Sequence, residues 1–544
     1  MEILAVENLT FSYAGSTRHV LDRLSFSIEE GDFCVLCGAT GSGKSTLLRL
    51  CKREIAPTGQ KEGRILFRNT PIEQLDDRAA AVHIGFVGQA PDQQIVCDKV
   101  WHELAFGLEN LGLSQSEIAR RVAEMAGYLG IEPWFDLPVS ALSGGQKQLL
   151  TLASVMVMRP DVLILDEPTS ALDPIAAAEF IHTLRKLNRD FSLTVLIAEH
   201  RLEELIPVCD KLIALDAGAL LGIDEPRALM PRIAQNPLLL AAMPTAVRVA
   251  AALDAARYPL TVREGRAFVT SGYRNTVSHL PEQPVTEQKA AALLMREVCF
   301  RYGRDSADVL SNLSLTLYEG ETLCLLGGNG SGKSTALAVA AGLQKPYAGK
   351  ISVFGKKQKD YRGQALWRDC LSLLPQDVQT VFLCNTVREE LADAKIDPAA
   401  LPFDLTPLLD THPYDLSGGE QQLLALAKVL ATKPRILLMD EPTKGLDAEK
   451  KQVLLDVLAS LKADGVSILI VTHDVEFAAL CADRCALFFR GAVVSDGLPR
   501  AFFAENNFYT TAARRMTRGH FDNAVTARDV VTLCRQNQSA GGAL

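Results

Sequence analysis

The sequence contains no long hydrophobic run, and this argues against a membrane-spanning role for the chain itself. Apolar runs such as residues 163–165 and 468–471 fall far short of the roughly 18 apolar residues that a membrane-spanning helix needs. No charged segment followed by an apolar core, the pattern of a signal peptide, precedes residues 1–4. We therefore expect a cytosolic chain that does not insert into the membrane and that acts on a membrane only through a partner.

Positive charge and paired cysteines are also scarce. The formal net charge of −9 argues against a protein that coats nucleic acid, so we expect no nucleic acid partner. The 12 cysteines form no spaced framework, although Cys34 and Cys37 have the C-x-x-C spacing of redox or zinc sites. An internal repeat described below places Leu323 and Leu326 at the matching positions. We therefore interpret both cysteines as buried strand residues.

The first strong motif is a glycine-rich loop. Residues 3–35 alternate in polarity, which predicts short strands and hairpins, and they lead into a buried strand. Gly38–Ser45 follows with the pattern G-x-x-x-x-G-K-S, and a helical pattern comes next. The strand, loop and helix order is the context of a phosphate-binding P-loop, in which Lys44 contacts the terminal phosphates and the Ser45 hydroxyl faces Mg²⁺. A glycine-rich turn without a ligand is the weaker alternative.

Three further polar positions follow buried strands. Gln89 ends the apolar strand predicted at residues 83–89, and taken alone it would be interpreted as a surface residue. Asp166 and Glu167 end the strand at residues 162–165, where Asp166 would hold Mg²⁺ and Glu167 would polarise the attacking water. His200 follows the strand at residues 194–198 and would reach the γ-phosphate, although a plain surface histidine is the alternative.

Ser143, Gly144 and Gly145 open a helical pattern and would leave backbone N–H groups exposed at a helix N-terminus, where an anion is stabilised. An ordinary serine N-cap after a glycine turn is the other interpretation of these residues. A second helix is predicted from Ser114 to Leu129, beginning with a possible capping box, Ser114 and Glu117.

The whole pattern occurs twice. Tyr302 and Lys333 repeat Tyr13 and Lys44 289 positions later, and Ser417 repeats Ser143 274 positions later. Seven elements recurring in one order indicate a duplicated domain. We call the serine and two glycines that open the helical pattern in each copy its signature. From the glutamine to this serine the first copy has 54 positions and the second has 41. The difference corresponds to about one helix. We therefore expect the two copies to present different docking surfaces.

The segments outside the two copies are less informative. Residues 245–258 predict a helix, residues 260–269 a short hairpin and residues 278–288 a polar linker. In the tail we predict a helix near residues 524–533, and we expect residues 539–544 to be disordered.

Both copies resemble the ATPase domains of ABC transporters at every motif named above. The resemblance implies an α/β fold with two P-loop NTPase domains in tandem, each with a RecA-like core, an antiparallel β subdomain and a helical subdomain. The expected division is a first ATPase domain at 1–235, a linker at 236–290, a second ATPase domain at 291–504 and a helical tail at 505–544. It also implies ATP hydrolysis, with ATP and Mg²⁺ as cofactors.

Two short segments narrow the resemblance. Residues 91–95 followed by 103–110, and residues 508–516 in the tail, are similar to the tandem ATPase of energy-coupling factor (ECF) importers. Residues 386–391 of the second copy lack the continuation found in the first. The ECF resemblance implies uptake of a vitamin or metal ion through an integral membrane coupling subunit and a substrate-binding membrane subunit, with the chain peripheral on the cytoplasmic face. The alternatives are a soluble tandem ATPase acting on ribosomes or DNA, and the ATPase of a peptide or sugar importer.

In the resembled ATPases two domains pair face to face, so each ATP would lie between the P-loop of one copy and the signature of the other. Glu167, His200, Glu441 and His473 would then be catalytic, and Ser45, Gln89, Asp166, Ser334, Gln376 and Asp440 would face the metal. The first site would comprise Tyr13 against adenine, Gly38, Gly41, Gly43, Lys44, Ser45, Thr46, Gln89 and Asp166, with Ser417, Gly418 and Gly419. The second would comprise Tyr302, Gly327, Gly330, Gly332, Lys333, Ser334, Thr335, Gln376 and Asp440, with Ser143, Gly144 and Gly145. Since neither set has lost a catalytic residue type, we expect two hydrolysing sites.

Overall fold

A computed structural model describes residues 1–16, 18–170, 172–200, 202–281, 290–361 and 364–537. The chain divides into two compact units, Met1–Arg248 and Val249–Leu544. Within the described ranges no helix is both long and apolar enough to cross a membrane. The finer boundaries at residues 235, 290 and 504 stay predictions.

The first unit contains two sheets with helices on and between them. Its strands are β1 (Glu2–Tyr13), β2 (Leu21–Glu29), β3 (Phe33–Cys37), β4 (Gly59–Phe67), β5 (Thr70–Pro71), β6 (Ile84–Val87), β7 (Val162–Asp166), β8 (Thr194–Ala198), β9 (Lys211–Asp216) and β10 (Ala219–Asp224). Its helices are α1 (Lys44–Leu50), α2 (Asp77–His83), α3 (Pro91–Gln94), α4 (Val100–Asn110), α5 (Gln115–Leu129), α6 (Gly144–Met156), α7 (Pro174–Phe191), α8 (Pro226–Ile233) and α9 (Pro237–Ala242). Helix α10 (Thr245–Ala252) spans the boundary at Arg248.

The core of the first unit is a sheet with the strand order β10-β9-β3-β8-β7-β6. Strands β6, β7, β8, β3 and β9 are parallel, and β10 is antiparallel at one edge. Every residue of β3, β7 and β8 is buried, as expected for parallel strands that have helices on both faces. Cys34 and Cys37 are buried free thiols in β3, which confirms the interpretation that they are core residues. A separate antiparallel sheet has the strand order β2-β1-β4-β5. In the sequence, β1 and β2 precede the glycine-rich loop and β4 and β5 follow it.

The second unit repeats this architecture. Its strands are β11 (Ala291–Phe300), β12 (Leu310–Tyr318), β13 (Thr322–Leu326), β14 (Ala348–Val353), β15 (Lys356–Lys357), β16 (Leu371–Leu374), β17 (Ile436–Asp440), β18 (Ser467–Thr472), β19 (Arg484–Phe489) and β20 (Ala492–Gly497). Its helices are α11 (Val262–Gly272), α12 (Lys333–Ala340), α13 (Ala365–Asp369), α14 (Val387–Asp393), α15 (Gly418–Leu430), α16 (Ala448–Ala463), α17 (Val475–Cys481), α18 (Pro499–Glu505), α19 (Ala512–Thr517) and α20 (Ala527–Gln536). The strand order β16-β17-β18-β13-β19-β20 matches that of the first sheet strand for strand.

The two units differ between the glutamine and the signature. In the first, the 15-residue helix α5 begins at Ser114, whose side chain accepts the Glu117 N–H, and ends at Gly130 in the left-handed conformation. In the second, short 3₁₀ turns between residues 398 and 415 occupy the corresponding stretch. This confirms the prediction that the second copy lacks one helix.

The prediction of a hairpin at residues 260–269 is wrong, because the structure has helix α11 there. The Thr261 side chain accepts the Glu264 N–H, and the Glu264 carboxylate accepts the Leu260 N–H, so the segment begins with a helix cap. Buried Gly265 and Val269 are four residues apart and share one helix face. The alternation interpreted as a strand was therefore helical spacing.

The tail repeats the helix pair that follows the first ATPase copy. Thr526 caps α20 by accepting the Asp529 N–H, and Asp529 accepts the Val525 N–H, as Thr261 and Glu264 do at α11. Helices α11 and α19 lie against each other, and Asn537, the C-cap of α20, is hydrogen-bonded to the backbone of Val277. The predicted helix near residues 524–533 is confirmed with its bounds shifted by about one turn. The expected disorder of residues 539–544, and most of the polar linker, lie outside the described residues.

We predict that Asn537→Ala destabilises the second unit. The buried Asn537 side chain accepts the Val277 N–H and donates to the Val277 and Leu533 carbonyl oxygens, at 2.8–3.0 Å. Removing it leaves buried backbone groups unpaired, which costs about 1–3 kcal/mol in the free energy of unfolding. Denaturant unfolding measures this cost, and Gln536→Ala, at an exposed neighbour, is the matched control. Equal midpoints for the two variants would contradict the assigned role of Asn537.

Candidate functional site

The strand order brings the predicted motifs of each unit to one edge of its sheet. Strand β3 leads into the glycine-rich loop, and its neighbour β8 leads to His200. Strand β7 lies next to β8 and ends at Asp166, and β6 lies next to β7 and precedes Gln89. The carboxyl ends of parallel strands are where ligands bind in open α/β sheets. Four motifs that are far apart in sequence therefore share one crevice.

The first glycine-rich loop wraps around a buried lysine. Lys44 Nζ donates to the carbonyl oxygens of Gly38 and Ala39 at 2.8 and 3.0 Å. Gly43 has φ 93°, and a Cβ there would lie 2.8 Å from the Val20 carbonyl oxygen, so no other residue fits without backbone movement. Gly41 also has a positive φ, 76°. The positive φ angles and the close approach of Val20 thus fix the loop in a conformation that requires glycine, and loops of this kind can form a concave anion site with their backbone N–H groups.

The second loop repeats this geometry. Lys333 Nζ donates to the carbonyl oxygens of Gly327 and Gly328 at 2.8 and 2.9 Å. Gly332 has φ 103°, and a Cβ there would lie 2.8 Å from the Val309 carbonyl oxygen. Gly330 has φ 72°. Both P-loops have therefore kept the backbone that their function needs.

A hydroxyl and a carboxylate lie together beside each loop. Ser45 Oγ donates to Asp166 Oδ1 at 2.8 Å, and in the second unit the Ser334 hydroxyl lies close enough to Asp440 to lower the pKa of its carboxyl group. Burial raises the pKa of both carboxyl groups, and that of Asp440 reaches about 6. Asp440 Oδ1 is buried and accepts no hydrogen bond from the described residues. Oxygen donors of this kind suit Mg²⁺, whose charge would offset the burial of the carboxylate.

Glu167 and Glu441 have strained backbones at the ends of their strands. Their φ angles are 48° and 49°, in the left-handed region that is uncommon for residues other than glycine. Glu167 N–H donates to the Ala198 carbonyl oxygen and Glu441 N–H to that of Val471, at 2.9 and 2.8 Å. Strain of this kind is maintained where the surrounding structure supports it and is common at active sites. In both units it turns the glutamate side chain out of the strand.

The predicted histidines contact these glutamates. His200 Nε2 lies 2.8 Å from Glu167 Oε1, and His473 Nδ1 lies 2.9 Å from Glu441 Oε2. Gln89 Nε2 donates to Glu167 Oε2 at 3.0 Å, so the structure joins three predicted residues in the first unit. In the second unit no hydrogen bond joins Gln376 to Glu441 within the described residues.

Each signature forms a complete capping box. Ser143 Oγ accepts the Gln146 N–H and Gln146 Oε1 accepts the Ser143 N–H, at the start of α6. Ser417 and Glu420 make the same pair of bonds at the start of α15. Both serines therefore act as helix N-caps, as the alternative interpretation predicted. It does not compete with anion binding, because the N–H groups of the two glycines that follow begin the helix.

The two predicted adenine-stacking tyrosines have matching environments. Tyr13 Oη is hydrogen-bonded to Thr46 Oγ1 at 2.9 Å, and Tyr302 Oη to Thr335 Oγ1 at 3.0 Å. Both rings are exposed, and each lies edge-on to a phenylalanine, Phe11 or Phe300. The hydroxyl contact orients each ring beside its P-loop helix, and the stacking role stays a prediction.

The sequence interpretation missed two pairs of glutamates. Glu103 and Glu390 are buried and accept the N–H groups of residues 96–97 and 383–384, which fixes the loop after each glutamine. They are 287 positions apart, as Gln89 and Gln376 are, so the repeat could have revealed them. Glu203 and Glu476, three residues after the histidines, accept the N–H groups of Thr245 and Ala512 at the start of α10 and α19.

Known proteins are similar to this chain over almost its whole length. The family model "ABC transporter" matches residues 21–170 and 310–444. A "Putative ABC transporter ATP-binding protein" of Bacillus thuringiensis subsp. konkukian is 37% identical over 97% of this chain and 98% of its own length. A "Putative HMP/thiamine import ATP-binding protein" of Bacillus subtilis is 32% identical over 93% of each chain. Among solved structures, an archaeal ribosome recycling factor in complex with a ribosomal stalk protein aligns over 91% of each chain at 20% identity, with a TM-score of 0.58.

We predict that Glu167→Gln combined with Glu441→Gln abolishes ATP hydrolysis and leaves ATP binding intact. Glutamine keeps the shape of each side chain but cannot accept the proton of water, and general bases contribute about 10²- to 10⁴-fold. Phosphate release measures turnover, and equilibrium binding of labelled ATP measures affinity. Glu204→Gln, at an exposed glutamate outside the crevice, is the matched control. Turnover near that of the native chain in the double variant would contradict the assignment of the base.

Proposed function

Because the chain belongs to the ABC transporter family of ATP-binding proteins, we propose that it is the ATP-hydrolysing subunit of an ECF-like importer. The chain hydrolyses ATP, and the proposal adds the task that hydrolysis drives. That task is uptake of a small nutrient, such as a vitamin or metal ion, through a membrane coupling subunit and a substrate-binding membrane subunit. The chain would act at the cytoplasmic face of the membrane.

The observation that carries the proposal is an exposed apolar side chain after each glutamine. Val96 and Leu383 occupy matching positions and are 69% and 81% exposed. Their loops are not loose, because buried Glu103 and Glu390 accept the N–H groups of these two residues. An apolar group displayed on a fixed loop beside the catalytic crevice suits docking of an apolar partner segment. Such a contact could report the state of the crevice to a membrane subunit.

The surfaces next to Val96 and Leu383 differ in chemistry between the two units. Next to Val96, helix α4 exposes the rings of Trp101 and Phe106, whereas the shorter α14 carries Arg388 and Glu389. Helix α5 adds a further surface only in the first unit. A partner that contacts both units would therefore meet two different surfaces, which fits an asymmetric membrane complex.

Each ATP is proposed to bind between a P-loop of one half and the signature of the other. A P-loop supplies one set of inward N–H groups, and a signature helix N-terminus supplies another for the same phosphates. Bound MgATP supplies an electrophilic phosphorus. The residues of the chain do the rest: Lys44 and Lys333 contact phosphate oxygens, Glu167 and Glu441 accept the proton of the attacking water, and His200 and His473 orient these glutamates.

The relatives support the import role more than the ribosomal alternative. The name of the Bacillus subtilis relative refers to HMP/thiamine import, which is uptake of a small nutrient. The likeness to the archaeal ribosome recycling factor is at 20% identity and concerns the fold alone. The net charge of −9 also disfavours a ribosomal RNA surface as the principal partner.

We predict that Gly145→Asp lowers hydrolysis at the second site, which contains Lys333, more than at the first. A Cβ at Gly145 would meet its nearest neighbours at 3.8 Å, so the substitution fits the fold, and its carboxylate would repel phosphate. The variant is measured in two backgrounds, Glu167→Gln and Glu441→Gln, by phosphate release. Loss confined to the first site, which contains Lys44, would contradict the composite arrangement.

We predict that the Glu167→Gln, Glu441→Gln chain, purified from solubilised membranes of its own cell, retains a small polytopic protein and a substrate-binding membrane protein. Val96→Asp with Leu383→Asp is expected to reduce this retention at least about tenfold, because it places charge in the apolar contact. Val494→Asp, at an exposed valine of β20, is the matched control. Retention of ribosomal RNA instead of membrane proteins would support the alternative function.

A further inference from the structure

The two catalytic crevices differ at one buried position. The residue before the histidine is Glu199 in the first unit and Thr472 in the second. The strands β8 and β18 that carry them are otherwise equivalent in order and pairing. Both side chains are buried, so neither is a surface substitution. A carboxylate in place of a hydroxyl at this depth changes which groups surround the catalytic glutamate.

In the first unit the Glu199 carboxylate accepts hydrogen bonds from Thr169 and His200. Its Oε1 accepts the Thr169 N–H at 2.7 Å and the Thr169 hydroxyl at 2.6 Å. Its Oε2 accepts the His200 N–H at 3.2 Å. Thr169 belongs to the turn after Glu167, so Glu199 connects that turn to the histidine. Burial raises the pKa of the Glu199 carboxyl, the Thr169 hydrogen bonds oppose that rise, and repulsion from Glu167 adds to it.

In the second unit the catalytic glutamate accepts the histidine N–H itself. The Thr472 hydroxyl donates to Glu441 Oε2 at 3.2 Å, and the His473 N–H donates to the same oxygen at 3.3 Å. His473 Nδ1 lies 2.9 Å from that oxygen as well. One carboxylate oxygen of Glu441 therefore accepts two hydrogen bonds from the adjacent strand end.

The first catalytic glutamate is placed differently. Glu167 uses its two oxygens toward different groups, Oε1 toward His200 Nε2 and Oε2 toward the Gln89 amide. Its side chain is 14% exposed, against 7% for Glu441. Glu199 accepts the His200 N–H, and Glu167 Oε2 accepts a hydrogen bond from the Gln89 amide. A general base must reach the water it deprotonates, so this orientation favours proton transfer.

We propose that Glu199 is a positioning residue that makes the first ATP site the faster of the two. It acts through Glu167 and need not touch nucleotide, and it replaces the threonine that retains Glu441 in the second site. The inference rests on the proposed role of Glu167 and Glu441 as the bases. It predicts that two sites with the same catalytic residue types turn over at different rates.

Glu199→Thr tests this proposal by giving the first site the residue found in the second. In the otherwise native chain we expect kcat to fall at least about twofold with KM for ATP unchanged, because a displaced base slows chemistry without weakening binding. With Glu441→Gln, which leaves Glu167 as the base, the expected fall is about tenfold. With Glu167→Gln, which leaves Glu441, Glu199→Thr is expected to change nothing. Glu204→Thr is the matched control at an exposed glutamate.

A second variant separates positioning from folding. Glu199→Gln keeps an oxygen for Thr169 but places an amide donor against the His200 N–H, so it should also lower kcat at nearly native thermal stability. Unchanged kcat in both variants, or an equal loss in the two backgrounds, would overturn the proposal. All measurements use the purified chain alone. Failure to capture membrane subunits would therefore contradict the import role and leave this inference standing, whereas unchanged kcat would contradict only this inference.

Discussion

The order of the parallel strands is the constraint on which both catalytic crevices depend. In each unit the strand before the P-loop lies next to the strand that ends at the histidine, and the strand of the paired acids lies next to that one. Side chains more than 120 positions apart, such as Ser45 and Asp166, meet within 2.8 Å because of it. The strand order sets this arrangement, and the positive φ angles of Glu167, Glu441 and the loop glycines adjust it locally.

The two copies share their catalytic motifs and differ in the helices and buried residues around them. The lysines of both P-loops and both capped signatures keep their bonds, whereas the described residues of the second unit contain no counterpart of α5. The buried position before the histidine has also diverged, from Glu199 to Thr472. The helix pairs that follow the two copies share their capping threonines, Thr261 and Thr526. The catalytic residue types are thus the same in both copies, whereas the exposed surfaces and the buried residue before the histidine differ.

Sequence reasoning succeeded where a motif sets its own geometry. The strand, glycine loop and helix around Lys44 could be placed without a structure, and the repeat doubled that information. It failed at α11, because the alternating polarity of residues 260–269 outweighed the cap formed by Thr261 and Glu264. The bonds of Glu199 to Thr169 and His200 could not be predicted either. They depend on side-chain directions that only the folded strands β7 and β8 determine.

The central proposal is that one chain binds two ATP molecules, one for each of its P-loops. The most direct measurement is the mass and nucleotide content of the Glu167→Gln, Glu441→Gln chain after incubation with MgATP, by light scattering during gel filtration and quantification of retained ATP. The account predicts a particle with the mass of one 59.1 kDa chain that retains two ATP molecules. A particle of two chains, or one that retains a single ATP per chain, would contradict it.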